Sequence, residues 1–115
     1  MTPRFNVVFL EEAAAFIDRL DEKARDKIIY NITKARFSQD KELFKKLTGE
    51  IWEFRTMFNK TYYRLFAFWD HSGKTGTVVV STHGLIKKTD KTPAGDLEKA
   101  ERLRKKYFEW KGKKQ

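Results

Sequence analysis

The chain contains no cysteine, which removes disulfides, thiolate nucleophiles and every cysteine-ligated zinc or iron–sulfur site. Its two histidines, His71 and His83, are too few for a three-histidine metal centre. No stretch reaches the roughly 18 apolar residues that a membrane helix needs. The opening Met1-Thr2-Pro3-Arg4 lacks the basic-then-apolar layout of a signal peptide, so a cytoplasmic location is expected. No P-loop, GxGxxG loop, HExxH, GxSxG or EF-hand pattern occurs, and neither an internal repeat nor an interdomain linker is visible. What remains is 115 residues, enough for one domain with one core and one site. Lys and Arg number 25 against 16 Asp and Glu, a net charge of +9. High charge alone favours disorder, but ten Phe, four Tyr and three Trp supply a core. A basic surface on a compact domain suits a polyanionic partner, most often nucleic acid.

Hydrophobic period organises the chain into an α+β domain of order β-α-α-β-β-β-α. Residues 5–10 read as a short strand and 11–20 as a helix with Ala13, Phe16, Ile17 and Leu20 on one stripe. A second helix spans about 23–37, with Ala24, Ile28, Ile32 and Ala35 inward, and the short link predicts a helical hairpin. Residues 38–49 are polar, with Leu43, Phe44 and Leu47 as anchors or one more helical turn. Residues 51–58, 61–69 and 77–86 are rich in aromatic and β-branched side chains and predict an antiparallel meander. Asn59-Lys60 separates the first two strands and the turn 70–76 the next two. Thr92 and Pro93 open a last helix to about Trp110, which Gly112 ends, leaving 111–115 as a frayed basic tail.

Chemistry collects on the meander. If Asn59-Lys60 is a two-residue turn, Phe58 pairs with Thr61 and Arg55 lands opposite Arg64. Like charges directly opposite destabilise a sheet. Either an anion joins them, with phosphate the natural match for guanidinium, or each pairs with a carboxylate such as Glu53 or reaches solvent. Gly84 predicts a bulge or bend. Lys87, Lys88 and Lys91 gather just before a helix N-terminus, which itself favours anions. His83 shares a strand face with Lys87 and could act as acid or base, or be satisfied by the sheet. Lys99, Arg102, Arg104, Lys105 and Lys106 suit backbone contacts to nucleic acid, or simply solubility. RNA carries its own nucleophile, the 2′-hydroxyl. Cleaving it needs cations around the phosphate and proton-transfer groups on either side, and these residues could supply both.

The runs Leu47-Thr-Gly-Glu-Ile-Trp-Glu-Phe-Arg55, Tyr63-Arg64-Leu-Phe-Ala-Phe and His83-Gly-Leu-Ile-Lys-Lys-Thr-Asp-Lys-Thr-Pro93, with Ala100 and Tyr107, resemble the RelE/ParE toxin superfamily, and within it the HigB-type, phage-derived branch. The resemblance covers most of 43–110. It implies a RelE-like fold and the toxin of a type II toxin–antitoxin module. Such a toxin is a metal-independent, cofactor-free mRNA endoribonuclease working at the ribosomal 30S A site and neutralised by an antitoxin protein. By position, Arg55 and Arg64 would hold the scissile phosphate, and Lys87 and Lys88 would add basic groups. His83 and Glu53 are candidates for acid and base. Lys91, Lys99, Arg102, Lys105 and Lys106 would contact RNA or ribosome. Leu85 stands where an aromatic is more usual after glycine, and Tyr107 reads as core. Two other readings stay open: a ParE-like inhibitor of a protein such as gyrase, and a non-catalytic RNA-binding phage module.

Overall fold

Asn59 and Lys60 both adopt positive φ, 52° and 58°, as a two-residue type I′ hairpin turn requires. Asparagine tolerates this conformation; for lysine it costs roughly 1–2 kcal/mol. The turn fixes the register of the meander: Phe58 faces Thr61 and Arg55 faces Arg64. The computed structural model describes residues 2–73, 76–89 and 91–113. These form β1 (Asn6–Phe9), α1 (Glu11–Asp18), α2 (Glu22–Phe37), β2 (Phe44–Thr48), β3 (Ile51–Phe58), β4 (Thr61–Asp70), β5 (Val78–Lys87) and α3 (Ala94–Lys113). The five strands make one sheet in the order β1-β5-β4-β3-β2, antiparallel except where β1 runs parallel to β5. The domain is α+β, as expected.

Two expectations need correction. Residues 44–48 are a strand, so the order is β-α-α-β-β-β-β-α rather than β-α-α-β-β-β-α. Phe44 is buried and stacks on Phe54 and Trp52, with centroids 4.4 and 4.9 Å apart, which holds β2 on the sheet edge. A register shift between Lys46 and Thr48 breaks the alternation, so the period-two signal is lost from the sequence. The last helix starts after Pro93 and runs through Gly112 to Lys113. Lys111 holds that final turn by donating to Asp70 Oδ2 and to the Ser72 hydroxyl. Lys114 and Gln115 of the expected frayed tail lie outside the described residues, as do Lys74 and Thr75 of the predicted turn, Asp90 of the lysine-rich motif and the initial Met1.

The helical hairpin covers one face of the sheet and α3 the other. Between hairpin and sheet, Phe16, Ile17, Ile28 and Ile32 of the helices pack with Phe5, Phe44, Phe54 and Leu65. Beneath α3 the buried apolar group is smaller, Ile51, Phe66 and Ala100. Gly84 is required because the Phe16 ring lies on it; any Cβ there would collide with the ring. The register of β5 shifts just before Gly84, the bulge predicted for this position. At the far end, Asp70 is 2% exposed and accepts from Tyr107, Lys111 and Ser72. Burial alone would raise its pKa. The hydrogen bonds from Lys111, Ser72 and Tyr107 outweigh burial and hold it well below the usual carboxylate range. Tyr107 is thus a polar anchor as well as a packing residue.

Candidate functional site

The α3 face of the meander carries, row by row, Met57–Tyr62–Lys87, then Arg55–Arg64–Leu85. In the next row Glu53 lies opposite Phe66, with Lys45 of β2 on its other side. The like-charged pair Arg55–Arg64 is therefore real, and the chain supplies its own anion to join it. Glu53 Oε2 lies 3.5 Å from Arg55 Nε, and Glu53 Oε1 lies 3.4 Å from Arg64 Nε. The Arg64 and Glu53 side chains are almost fully buried, and Arg55 retains 16% exposure. Arg64 also donates from Nη1 to the Tyr63 carbonyl, and its guanidinium lies 5.2 Å from the Tyr62 ring centroid.

Arg55, Arg64 and Tyr62 line, with Glu42, Thr56 and Met57, a cleft of about 290 Å³. Lys87, directly opposite Tyr62, donates from Nζ to the Thr92 hydroxyl at 3.2 Å. This end of the face thus holds three cations, Arg55, Arg64 and Lys87, against the single buried carboxylate of Glu53. A burial that leaves net positive charge beside an open cleft favours an anionic ligand. Glu42 and Tyr62 were not singled out as site residues in the sequence. Glu42 falls in the polar segment 38–49, and Tyr62 in the aromatic strand 61–69. Its position two residues before Arg64 was the available signal.

His83 shares the α3 face with Lys87, as its spacing predicts, but it is not among the cleft's lining residues. It is 3% exposed, stacks on Phe66 and lies with Nε2 3.1 Å from Asp96 Oδ1, in the first turn of α3. Asp96 only accepts, so Nε2 carries the proton and Nδ1 accepts from the Thr82 hydroxyl at 3.0 Å. Burial pushes the His83 pKa down and the Lys99 charge adds to this, while the Asp96 hydrogen bond and charge oppose it. Its expected acid–base role meets a neutral imidazole closed beneath α3. Lys88 and Lys91 are exposed beyond the end of β5. Lys99 is paired with Glu12 at 2.5 Å, tying α3 to α1. Arg102, Lys105 and Lys106 are exposed on α3, and Arg104 pairs with Glu101. The structure therefore gathers Glu53, Arg55, Arg64 and Lys87 and sets the remaining candidates apart from them.

Among the described residues, no group of His, Asp and Glu is placed to hold a metal ion. Among them too, no helix is long and apolar enough to cross a membrane. Fold and site define a small α+β domain with a carboxylate-bridged arginine pair on a half-covered sheet face. The chain belongs to the family described as Phage derived protein Gp49-like (DUF891), which matches residues 15–105, from α1 into α3. That family is a toxin-like group of the RelE kind. No curated protein matches the chain.

Proposed function

We propose that the protein is the toxin of a type II toxin–antitoxin pair, of the RelE fold and HigB branch, and that it cleaves mRNA on translating ribosomes without a metal. The observation that carries this reading is the Arg55–Arg64 pair, opposed across the hairpin and facing an open cleft. A phosphodiester entering the cleft meets two guanidiniums already held at fixed spacing by Glu53. It can share or replace the carboxylate's contacts. The 2′-oxygen attacks the adjacent phosphorus and the bond to the 5′-oxygen breaks, giving a 2′,3′-cyclic phosphate and a 5′-hydroxyl. The two arginines stabilise charge developing on the non-bridging oxygens. Glu53, held between the two guanidiniums, acts as the positioning residue for both. In this reading Glu42, which lines the cleft, takes the 2′-hydroxyl proton, and the ammonium of Lys87, opposite the cleft residue Tyr62, supplies one to the leaving oxygen. The exposed Lys88, Lys91, Arg102, Lys105 and Lys106 extend the positive field for RNA and ribosome contacts. The antitoxin is the protein partner.

The test is brief induction in a bacterium with transcriptome-wide mapping of 5′ ends, beside Arg64→Ala and Arg55→Ala. Each variant should fold by circular dichroism and lose about 10²–10³-fold in cleavage, the scale for removing a transition-state donor. New ends inside translated frames, absent from both variants, support the reading. Growth arrest without new ends would instead indicate a protein target such as gyrase. Absence of both would leave a non-catalytic RNA-binding module.

A further inference from the structure

The hairpin face of the sheet carries a series of rings that runs from the core into solvent. Phe54 stacks on Phe44, and Phe44 on Trp52. Trp52 meets Trp69 edge to face at 5.6 Å, and Trp69 stacks on His71 at 5.5 Å with the planes 8° apart. Phe54 and Phe44 are buried, Trp52 and Trp69 half-buried, and His71 exposed. Core packing accounts for the two phenylalanines. It does not require two indoles that keep part of their surface in water.

Beside Trp52 lies a pocket of about 280 Å³ lined by Arg4, Gln39, Lys41, Phe44 and Trp52. That is close to the roughly 300 Å³ lower end of small-ligand sites, room for one planar group. The lining combines two rings, two cations and an amide, and it contains no carboxylate. Arg4 Nη2 donates to the Ala35 carbonyl at 2.9 Å and the Ser38 carbonyl at 2.6 Å, which fixes its guanidinium at the end of α2. Lys41 sits in a turn closed by the N–H groups of Leu43 and Phe44, both donating to the Asp40 carbonyl at 3.0 Å. Lys46, exposed on β2, lies directly opposite Trp52. We infer that this pocket is a nucleobase site for single-stranded RNA. One base stacks on the part-exposed indole of Trp52, Arg4 and Lys41 hold its flanking phosphate, and the Gln39 amide meets the base edge. A lone anion would satisfy the cations and leave the rings uncovered, and an apolar group would do the reverse; a nucleotide does both. The same turn borders the arginine cleft, because Glu42 lines that cleft and Arg55 N–H donates to the Leu43 carbonyl at 2.8 Å. Lys45 shares the row of Glu53 and Lys46 that of Trp52, so the β2 edge carries cations toward both faces. Resting on the nuclease reading, the strand crosses this edge, with the base on one face and the scissile phosphate on the other.

The probe is a short fluorescein-labelled 2′-O-methyl oligoadenylate, titrated by anisotropy into the full-length protein. Methylation removes the nucleophile, so binding is read apart from cleavage. The control is an abasic strand of the same length and charge. The wild type should bind the base-bearing strand at least about tenfold more tightly, within the roughly 5- to 150-fold that one stacked base contributes. Trp52→Leu keeps an apolar side chain against Phe44 and should reduce that preference to about twofold or less. Lys41→Glu, at an exposed turn, should weaken the base-bearing strand about tenfold with an unchanged circular dichroism spectrum. Equal binding of the two strands by the wild type would overturn the proposal, as would a preference that survives in folded Trp52→Leu. Should Trp52→Leu fail to fold, undiminished binding by Lys41→Glu would overturn it instead. None of these outcomes alters the 5′-end test of the nuclease reading, which reads cleavage at Arg55 and Arg64.

Discussion

The two faces of the sheet are built on different principles. The face beneath the helical hairpin is aromatic and aliphatic, and its buried polar side chains Asn31 and Thr56 satisfy each other at 3.0 Å. The face beneath α3 holds Glu53, Arg64, Asp70, His83 and Lys87, which are all the buried charged or titratable side chains among the described residues. Burying five such groups is costly unless each is paired. The α3 face meets that cost with local partners: Glu53 for the arginines, Tyr107 and Lys111 for Asp70, Asp96 for His83, and Thr92 for Lys87. One face therefore supplies the stability that lets the other hold charge in fixed positions. Because strand residues alternate between faces, the same strands serve both purposes.

The sharpest way to break this contrast is to damage the apolar face. Phe54 is 3% exposed, stacks on Phe44 and tilts against Phe5. Phe54→Ala should cost about 3–5 kcal/mol, the usual range for emptying a buried aromatic site. Urea unfolding of the purified protein would measure it. A loss below about 1 kcal/mol would mean that the hairpin face is not the principal source of stability.

A smaller and chemically different effect is expected across the sheet. Glu53→Gln keeps the shape but leaves Arg55 and Arg64 opposed without their bridging charge. It should destabilise by about 1–3 kcal/mol, the cost of leaving buried hydrogen-bonding groups unsatisfied, since Gln keeps one acceptor oxygen. The distinguishing readout is rescue. Millimolar inorganic phosphate should raise the melting temperature of Glu53→Gln more than that of the wild type, because an external anion takes the carboxylate's place. Equal shifts in the two proteins would remove the phosphate analogy on which the site rests.

Legibility from sequence followed the same division. The meander was readable because its strands are long and aromatic, and because Asn59-Lys60 fixes the register that opposes Arg55 to Arg64. Glu53 lay within reach as one of two stated partners, but choosing between it and an external anion required side-chain positions. β2 was missed because its bulge between Lys46 and Thr48 breaks the alternation. The extension of α3 was missed because Gly112 is an ordinary stop signal, overridden here by the tertiary bonds of Lys111 to Asp70 and Ser72. Glu42 joins the cleft only through the chain path before β2, which no local pattern encodes.

The smallest expected effect separates catalysis from support within the α3 face. His83 is held neutral chiefly by burial, with Asp96, Lys99 and Glu12 as the charged groups acting on it. Its folded pKa lies below the unfolded value of about 6.5, so between the two the unfolded chain binds more protons. The stability this contributes is complete above about pH 6.5 and declines as pH falls through the folded pKa. His83→Gln retains a side chain that can donate toward Asp96 and accept from Thr82, and it removes the titration. Unfolding free energy should therefore slope downward from neutral toward mildly acidic pH in the wild type and lie flatter in the variant. Under the proposed nuclease reading, RNA cleavage at neutral pH should stay within about threefold, well short of the 10²–10⁴-fold that a general acid or base contributes. A large loss of cleavage with unchanged stability would move His83 from the support of α3 into the reacting site.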